Sequence, residues 1–352
     1  MASDPAVRTL GDLAALVGGR AVGDVDLSIR GVATLAHAGP TDLGLLADRA
    51  YLDELAGSHA GALLVSEELG AEAADTPNRL IVENPREAMI FLLGHFHPKP
   101  PRRPGIHPTA VLGEGVQLGM DVSVGPYVVM EDDVVVGDRA TLYSHVAVGQ
   151  GARIGSDSVL YPHVVLYPQV LVGHRVVLHS GVRIGVDGFG YTPSDGGMKK
   201  IPHIGPCVIG DDVEIGANSC IDRGSIGRTE LGNETKLDNL VHIGHNVTVG
   251  PGSFLAGQVG VAGSTRIGAG TMWGGQSGAA DHIEVGDGVM VAAQAGVTDD
   301  VPDGDTVAGF PARPIKDFNR AIAAMYRLTD LRQRVRKMER ALELGRSDQD
   351  VE

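Results

Sequence analysis

From Ile106 onward an aliphatic residue returns every six positions. It falls at 106, 112, 118, 124, 130, 136, 142, 148, 154, 160, 166, 172, 178 and 184, each Ile, Leu, Val or Met. A period of six is neither the 3.6 of an amphipathic helix nor the two of a half-buried strand. It fits a solenoid of short strands, each giving one inward aliphatic residue before a turn. Three hexads then close a triangular coil of about 18 residues, and each coil climbs one strand spacing, about 4.8 Å. Many hexad residues are followed by Gly, at 113, 119, 125, 137, 149, 155, 173 and 185. We read these as turn positions that need φ > 0.

The register breaks twice. After Ile184 comes VDGFGYTPSDGGMKKIPHIG, too polar and Gly-rich to continue the coil, and hexads resume at Ile209, Ile215 and Ile221. A shorter slip covers DRGSIGRTE (222–230), and a third run occupies every sixth position from 231 to 297, with Trp273 and Ala279 off the aliphatic rule. Loops that interrupt a regular scaffold are where function concentrates.

Outside the solenoid the pattern changes. Residues 1–98 read as a small α/β domain. Thr9 to Val17 has the spacing of a short helix, GALLVSEEL (61–69) and NRLIVENP (78–85) contain buried-type strands, and PREAMIFLLGHF (85–96) opens a helix on Pro. The basic, Pro-rich HPKPPRRPG supplies a linker at 99–105. The solenoid spans 106–311. Residues 312–352 form a helical extension, with apolar residues three or four apart from Ile315 to Leu342.

Composition narrows the function. A formal charge of −15 argues against nucleic acid as the main partner. Against that balance, residues 312–346 hold ten Lys/Arg and four acids, which points to an acidic partner for the extension. Two cysteines, Cys207 and Cys220, make no disulfide framework, so a cytoplasmic setting is the expectation. The N-terminus lacks the pattern of a signal peptide, and no apolar run is long enough to span a membrane.

The motifs are more specific than the fold. VDGFGYT (186–192), KIPHIG (200–205), VIGDDVEIGANSCIDRG (208–224), LDNLVHIGHNVTVG (237–250) and AGS (262–264) together resemble the UDP-3-O-acylglucosamine N-acyltransferase family of lipid A synthesis. The order of parts is similar too. The resemblance implies a mainly β fold, a left-handed parallel β-helix of hexapeptide repeats, assembled as a homotrimer with active sites between neighbouring copies. It implies transfer of a 3-hydroxyacyl group from acyl carrier protein to the 2-amino group of UDP-3-O-(3-hydroxyacyl)glucosamine. No metal or resident cofactor is implied, because the acyl group arrives on the carrier's phosphopantetheine thioester. Acyl carrier protein is acidic, which gives Arg320, Arg327, Arg334 and Lys337 a partner. The lipid-like product would place the enzyme near the inner membrane.

Amide formation from a thioester needs a base for the amine, a donor for the oxyanion, and placement of the acyl chains. A neutral His suits the first. Ile243 occupies the inward hexad position, so His242 and His245 flank it on the outer side. The IGHN motif makes His245 the base by resemblance. Asp238 and Asn239, one hexad earlier, are candidates to orient an imidazole or bind the sugar. Gly263 is a candidate oxyanion donor through its N–H. His282 matches a second family histidine, for phosphate or the carrier's prosthetic group. A zinc reading of His242 with His245 is weak, because no Cys or carboxylate is expected to complete a ligand set.

Asp187, Phe189, Tyr191 and Lys200 are expected on the nucleotide-sugar side. The family stacks uracil on aromatics in a segment that corresponds here to LLADRAY (45–51). Tyr51 fits a stacking position, whereas Leu45 replaces an aromatic and Asp48 an amide, which weakens the expectation of tight uracil recognition. Gly296 stands where some relatives place a bulky Met, so a longer or differently shaped acyl chain is expected to be tolerated. Two alternatives stay open: the O-acyltransferase acting on UDP-N-acetylglucosamine, which carries an HxxH pair, and a non-catalytic hexapeptide scaffold.

Overall fold

The computed structural model describes residues 7–73, 75–98, 102–309 and 312–341. The chain divides into two compact units, Met1–Pro101 and Arg102–Glu352.

In the first unit a five-stranded sheet is built from Arg20–Val22, Gly31–Ala33, Asp42–Leu46, Ala62–Val65 and Arg79–Ile81. Ala62–Val65 lies inside the sheet and is buried at every residue, as expected of a strand covered on both faces. Thr9 caps the helix Leu10–Val17 in a full capping box with Asp12. Asn84 caps Pro85–Phe96, where Pro sits at the first helical turn and so removes an N–H that would have no partner.

The second unit is a left-handed parallel β-helix. Its strands stack into three parallel faces of nine, eleven and ten strands. Neighbours in a face are 18 residues apart in the regular coils, as in Val135↔Arg153 and His242↔Gly260. Each strand is short, with one residue outward and the next inward. The inward residues form one continuous core from Val122 to Val301, in which Ile184, Ile215, Ile221, Ile243 and Val261 have no exposed surface.

The glycines after the hexad residues have a different reason from the expected one. Of the eight singled out, only Gly185 has positive φ (89°). The left-handed positions lie elsewhere and carry mainly polar residues, for example Asp157, His163 and Asn246, with glycine at others such as Gly151 and Gly270. The hexad glycines are forced by close approach of the next coil. A Cβ on Gly155 would stand 2.4 Å from the backbone of Gly173, and one on Gly216 would stand 2.4 Å from that of Asp238.

The two breaks in register become two excursions. The first projects as an antiparallel hairpin in which Tyr191–Ser194 pairs with Gly197–Lys200. The second is the short loop between Cys220–Asp222 and Thr229–Leu231. The coil also runs past the last expected hexad, because Thr306–Val307 still pairs with Met290–Val291. The extension is two helices rather than one, Ile315–Met325 and Leu328–Ala341. The Arg327 N–H bonds Ala324 O (3.0 Å), an i→i−3 contact that tightens and ends the first helix. Leu342, Glu343 and Arg346 lie outside the described residues.

Candidate active site

The second excursion and the strand that stacks on Cys220–Asp222 one coil later build the site. His242–Ile243 places Ile243 in the core and His242 outward, and the following turn carries His245 and Asn246. Asn246 has φ +61°, a left-handed conformation that Asn tolerates. Its side chain is fixed from the neighbouring loop. Asn246 Oδ1 accepts from the Ser225 N–H (3.0 Å) and the Ser225 hydroxyl (2.8 Å), and the Asn246 N–H donates to Thr229 Oγ1 (2.8 Å).

The same Oδ1 lies 3.1 Å from His245 Nδ1. An oxygen already held as acceptor takes the imidazole N–H, so Nδ1 carries the proton and Nε2 is left with a free lone pair. Two glycines make room for the ring. A Cβ on Gly263 would lie 2.7 Å from both Cε1 and Nε2 of His245, and one on Gly188 would lie 2.7 Å from His245 Cβ. The DGFGY stretch (187–191) is therefore packed closely against His245.

His245 lines a cavity of about 440 Å³ together with Phe189, Asp222, His242, Gly263 and His282, among others. Phe189, His245, Gly263 and His282, four of the expected site residues, thus share one cavity. Outward positions on this face continue from His242 as Gly260, Gly278 and Gly296. They leave a trough without side chains, although Gly296 itself lies beyond the cavity lining.

Asp238 and Asn239 are placed elsewhere. Asp238 Oδ1 accepts from the Asn239 N–H (2.7 Å), and Asn239 Oδ1 accepts from the Ala217 N–H (2.7 Å). Both line a separate, largely apolar concavity of about 820 Å³ with Phe254, Met272, Trp273 and Met290. Within one chain neither orients His245. Asn246 does, because it shares the turn with the histidine while Asp238 sits on the adjoining face.

Sequence reasoning missed His203. It is 5% exposed and packs edge-on against His245, with centroids 5.1 Å apart. Neither ring nitrogen has a partner among the described residues, and burial holds its pKa below the usual histidine value. The KIPHIG motif contained the residue, but nothing in its spacing marked it as buried.

Two further residues were also missed. Cys220 and Asp222 stand beside His242, with ligand-type atoms of all three within 4.8 Å of one another. The expectation concerned a ligand set for His242 with His245; the grouping in the structure forms around His242 without His245. The spacing hid it, since Cys220 and His242 become neighbours only once the slip at 222–230 is folded.

Lys200 is ion-paired with Asp187, and its ammonium draws the Asp187 carboxyl below the usual range. Phe189 is 88% exposed and stacks edge-on with Tyr191. In the first unit Leu45 packs partly buried against the core. Asp48 caps a 3₁₀ turn by accepting from the Ala50 N–H (3.0 Å), which gives it a local structural task, and Tyr51 is exposed. In the helical extension Arg320 makes an exposed pair with Asp317, and Arg327, Arg334 and Lys337 are exposed.

Comparison with known proteins bears on both units. Residues 26–95 match the family model for UDP-3-O-(3-hydroxymyristoyl) glucosamine N-acyltransferase, LpxD. A UDP-3-O-acylglucosamine N-acyltransferase of Anaeromyxobacter dehalogenans is 42% identical over 97% of each chain. One from Coxiella burnetii is 39% identical over 73% of this chain and 75% of its own. Among solved structures, the Arabidopsis UDP-N-acetylglucosamine acyltransferase superposes with a TM-score of 0.53 at 25% identity, covering 58% of this chain and 71% of its own.

Proposed function

The chain belongs to the UDP-3-O-acylglucosamine N-acyltransferase family, and from that premise we propose the reaction and the role of each group. The chain moves a 3-hydroxyacyl group from acyl carrier protein to the 2-amino group of UDP-3-O-(3-hydroxyacyl)glucosamine in lipid A synthesis. His245 is the general base. The observation that carries this reading is the 3.1 Å contact of His245 Nδ1 with Asn246 Oδ1, an acceptor that leaves Nε2 as the basic nitrogen, in a histidine that lines the cavity.

The steps follow from that geometry. The neutral amine attacks the thioester carbonyl while His245 Nε2 takes its proton. Asn246 Oδ1 stabilises the resulting imidazolium through Nδ1–H. The Gly263 N–H, which donates to no backbone acceptor among the described residues, faces the developing oxyanion. Collapse of the tetrahedral intermediate breaks the C–S bond, and the imidazolium returns a proton to the thiolate. The product is an amide and a free carrier thiol.

A homotrimer completes the site in this reading. Phe254, Met272 and Met290 are half-exposed on the face that holds the larger concavity. A second copy laid there would bring its own cavity towards Asp238 and Asn239. The basic extension docks the acidic carrier, and the hairpin with Lys200 meets the nucleotide-sugar.

The test uses purified protein, 3-hydroxyacyl carrier protein and UDP-3-O-acylglucosamine, with UDP-N-acetylglucosamine as the competing acceptor. N-acylated product from wild type and its loss in His245→Ala are expected. Product on UDP-N-acetylglucosamine instead would favour the O-acyltransferase, and unchanged turnover in the variant would remove His245 from the mechanism. Reversing Arg320, Arg327, Arg334 and Lys337 to Glu should raise the KM for the carrier at least tenfold with little change in kcat.

A further inference from the structure

Three metal-ligating side chains stand together that the chemistry above does not use. Cys220 and Asp222 lie two apart on one strand, so both project to its outer side. His242 stands beside Cys220 in register on the next strand. Their sulfur, oxygen and nitrogen atoms all fall within 4.8 Å of one another, and His242 Nε2 is 3.8 Å from Asp222 Oδ2.

Asp222 supplies an independent observation. It is 5% exposed, yet among the described residues His242 is its only cationic-type neighbour within 4 Å. Its carboxylate lines the cavity that also holds His242 and His245. A buried carboxylate is ordinarily paired, hydrogen-bonded or bound to a metal. Here the side chains positioned to share a ligand with it are an imidazole and a thiol.

The donor set selects the ion. Sulfur, nitrogen and one carboxylate oxygen suit zinc and disfavour magnesium or calcium, which take oxygen. Ligand atoms at about 2.0–2.3 Å from a tetrahedral zinc lie roughly 3.3–3.8 Å apart. The 3.8 Å His242–Asp222 separation is already near that range. The His242 side chain is 54% exposed and free to turn the remaining distance.

We propose that Cys220, Asp222 and His242 form a reversible site for one zinc ion per chain, whose fourth position opens into the cavity beside His245. Zinc there occupies space that the acceptor amine needs, so it inhibits transfer in competition with the UDP-sugar. The inhibition rests on the proposed function, whereas the binding does not.

The experiment therefore reads binding first. Untagged full-length protein is dialysed against micromolar zinc, and bound metal is counted by mass spectrometry. Cobalt is then used as a spectroscopic probe. Wild type and Cys207→Ser should hold about one equivalent and show a thiolate-to-cobalt band in the near ultraviolet. Cys220→Ser and His242→Ala should bind at least tenfold more weakly with unchanged circular dichroism. Equal zinc in wild type and Cys220→Ser, or a cobalt spectrum without the thiolate band, overturns the site. In the activity arm, micromolar zinc should raise the apparent KM for the UDP-sugar in wild type and not in Cys220→Ser. Binding without that shift would overturn the inhibitory role alone. Absence of transfer by metal-free wild type would count against the proposed function and leave the binding result standing.

Discussion

Replacing Gly263 by Ala tests the placement of the base with a single methyl group. The added Cβ would lie 2.7 Å from His245 Cε1 and Nε2, against an ordinary contact of about 3.5 Å. The ring must recoil by about 0.8 Å, which strains the 3.1 Å bond to Asn246 and carries Nε2 away from the amine. Misplacement of about 1 Å costs on the order of 10²-fold in rate, roughly 2.7 kcal/mol. Gly263 is not in the left-handed region, so Ala brings no backbone strain. The assay is kcat/KM for acyl transfer beside a thermal melt, in Gly263→Ala, His245→Ala and the double variant. We expect the single glycine change to lose about 10²-fold with a melting shift of a few degrees at most. In the His245→Ala background it should cost nothing further, because the residue it displaces is gone. Additive losses would refute the steric argument.

Other predictions follow from the same geometry. Asn246→Ala removes the acceptor shared by His245 and Ser225, and kcat should fall by about 10²-fold with roughly 1–3 kcal/mol of stability lost in a denaturant titration. His203 is neutral in the folded chain because burial lowers its pKa. The unfolded chain therefore binds an extra proton as pH falls below about 6.5, and stability is lost in that direction. His203→Gln should flatten the fall in melting temperature between pH 8 and 5.5, and equal slopes would remove His203 as the cause. Gly188→Ala places a methyl against His203 Nε2 and His245 Cβ, both at 2.7 Å, and should lower kcat at least tenfold in the transfer assay. Cys207 is fully buried and its thiol is pushed up to about 12 by that burial, so native protein should leave it unlabelled by a thiol reagent that modifies it promptly in denaturant.

The six-residue period was sufficient for the β-helix, because one inward aliphatic residue per hexad is a local requirement that every strand repeats. Ile243 in the core with His242 turned outward follows from that register alone. The helix opening at Pro85 was legible for a similarly local reason, whereas the caps Thr9 and Asn84 were read only from the structure. His245, the proposed base, was singled out through its motif. Its partners were not: Asn246 orients it and Asp238 does not, since which side chain reaches an imidazole depends on the corner of the coil where each one lies. His203, buried against His245, and Asp222, buried beside His242, come from the two excursions, where the period is lost and contacts join residues far apart along the chain. The glycines make the same distinction. Their spacing was plain in the sequence, but only stacked coils show that the approach of the next backbone, rather than a left-handed turn, excludes a side chain there.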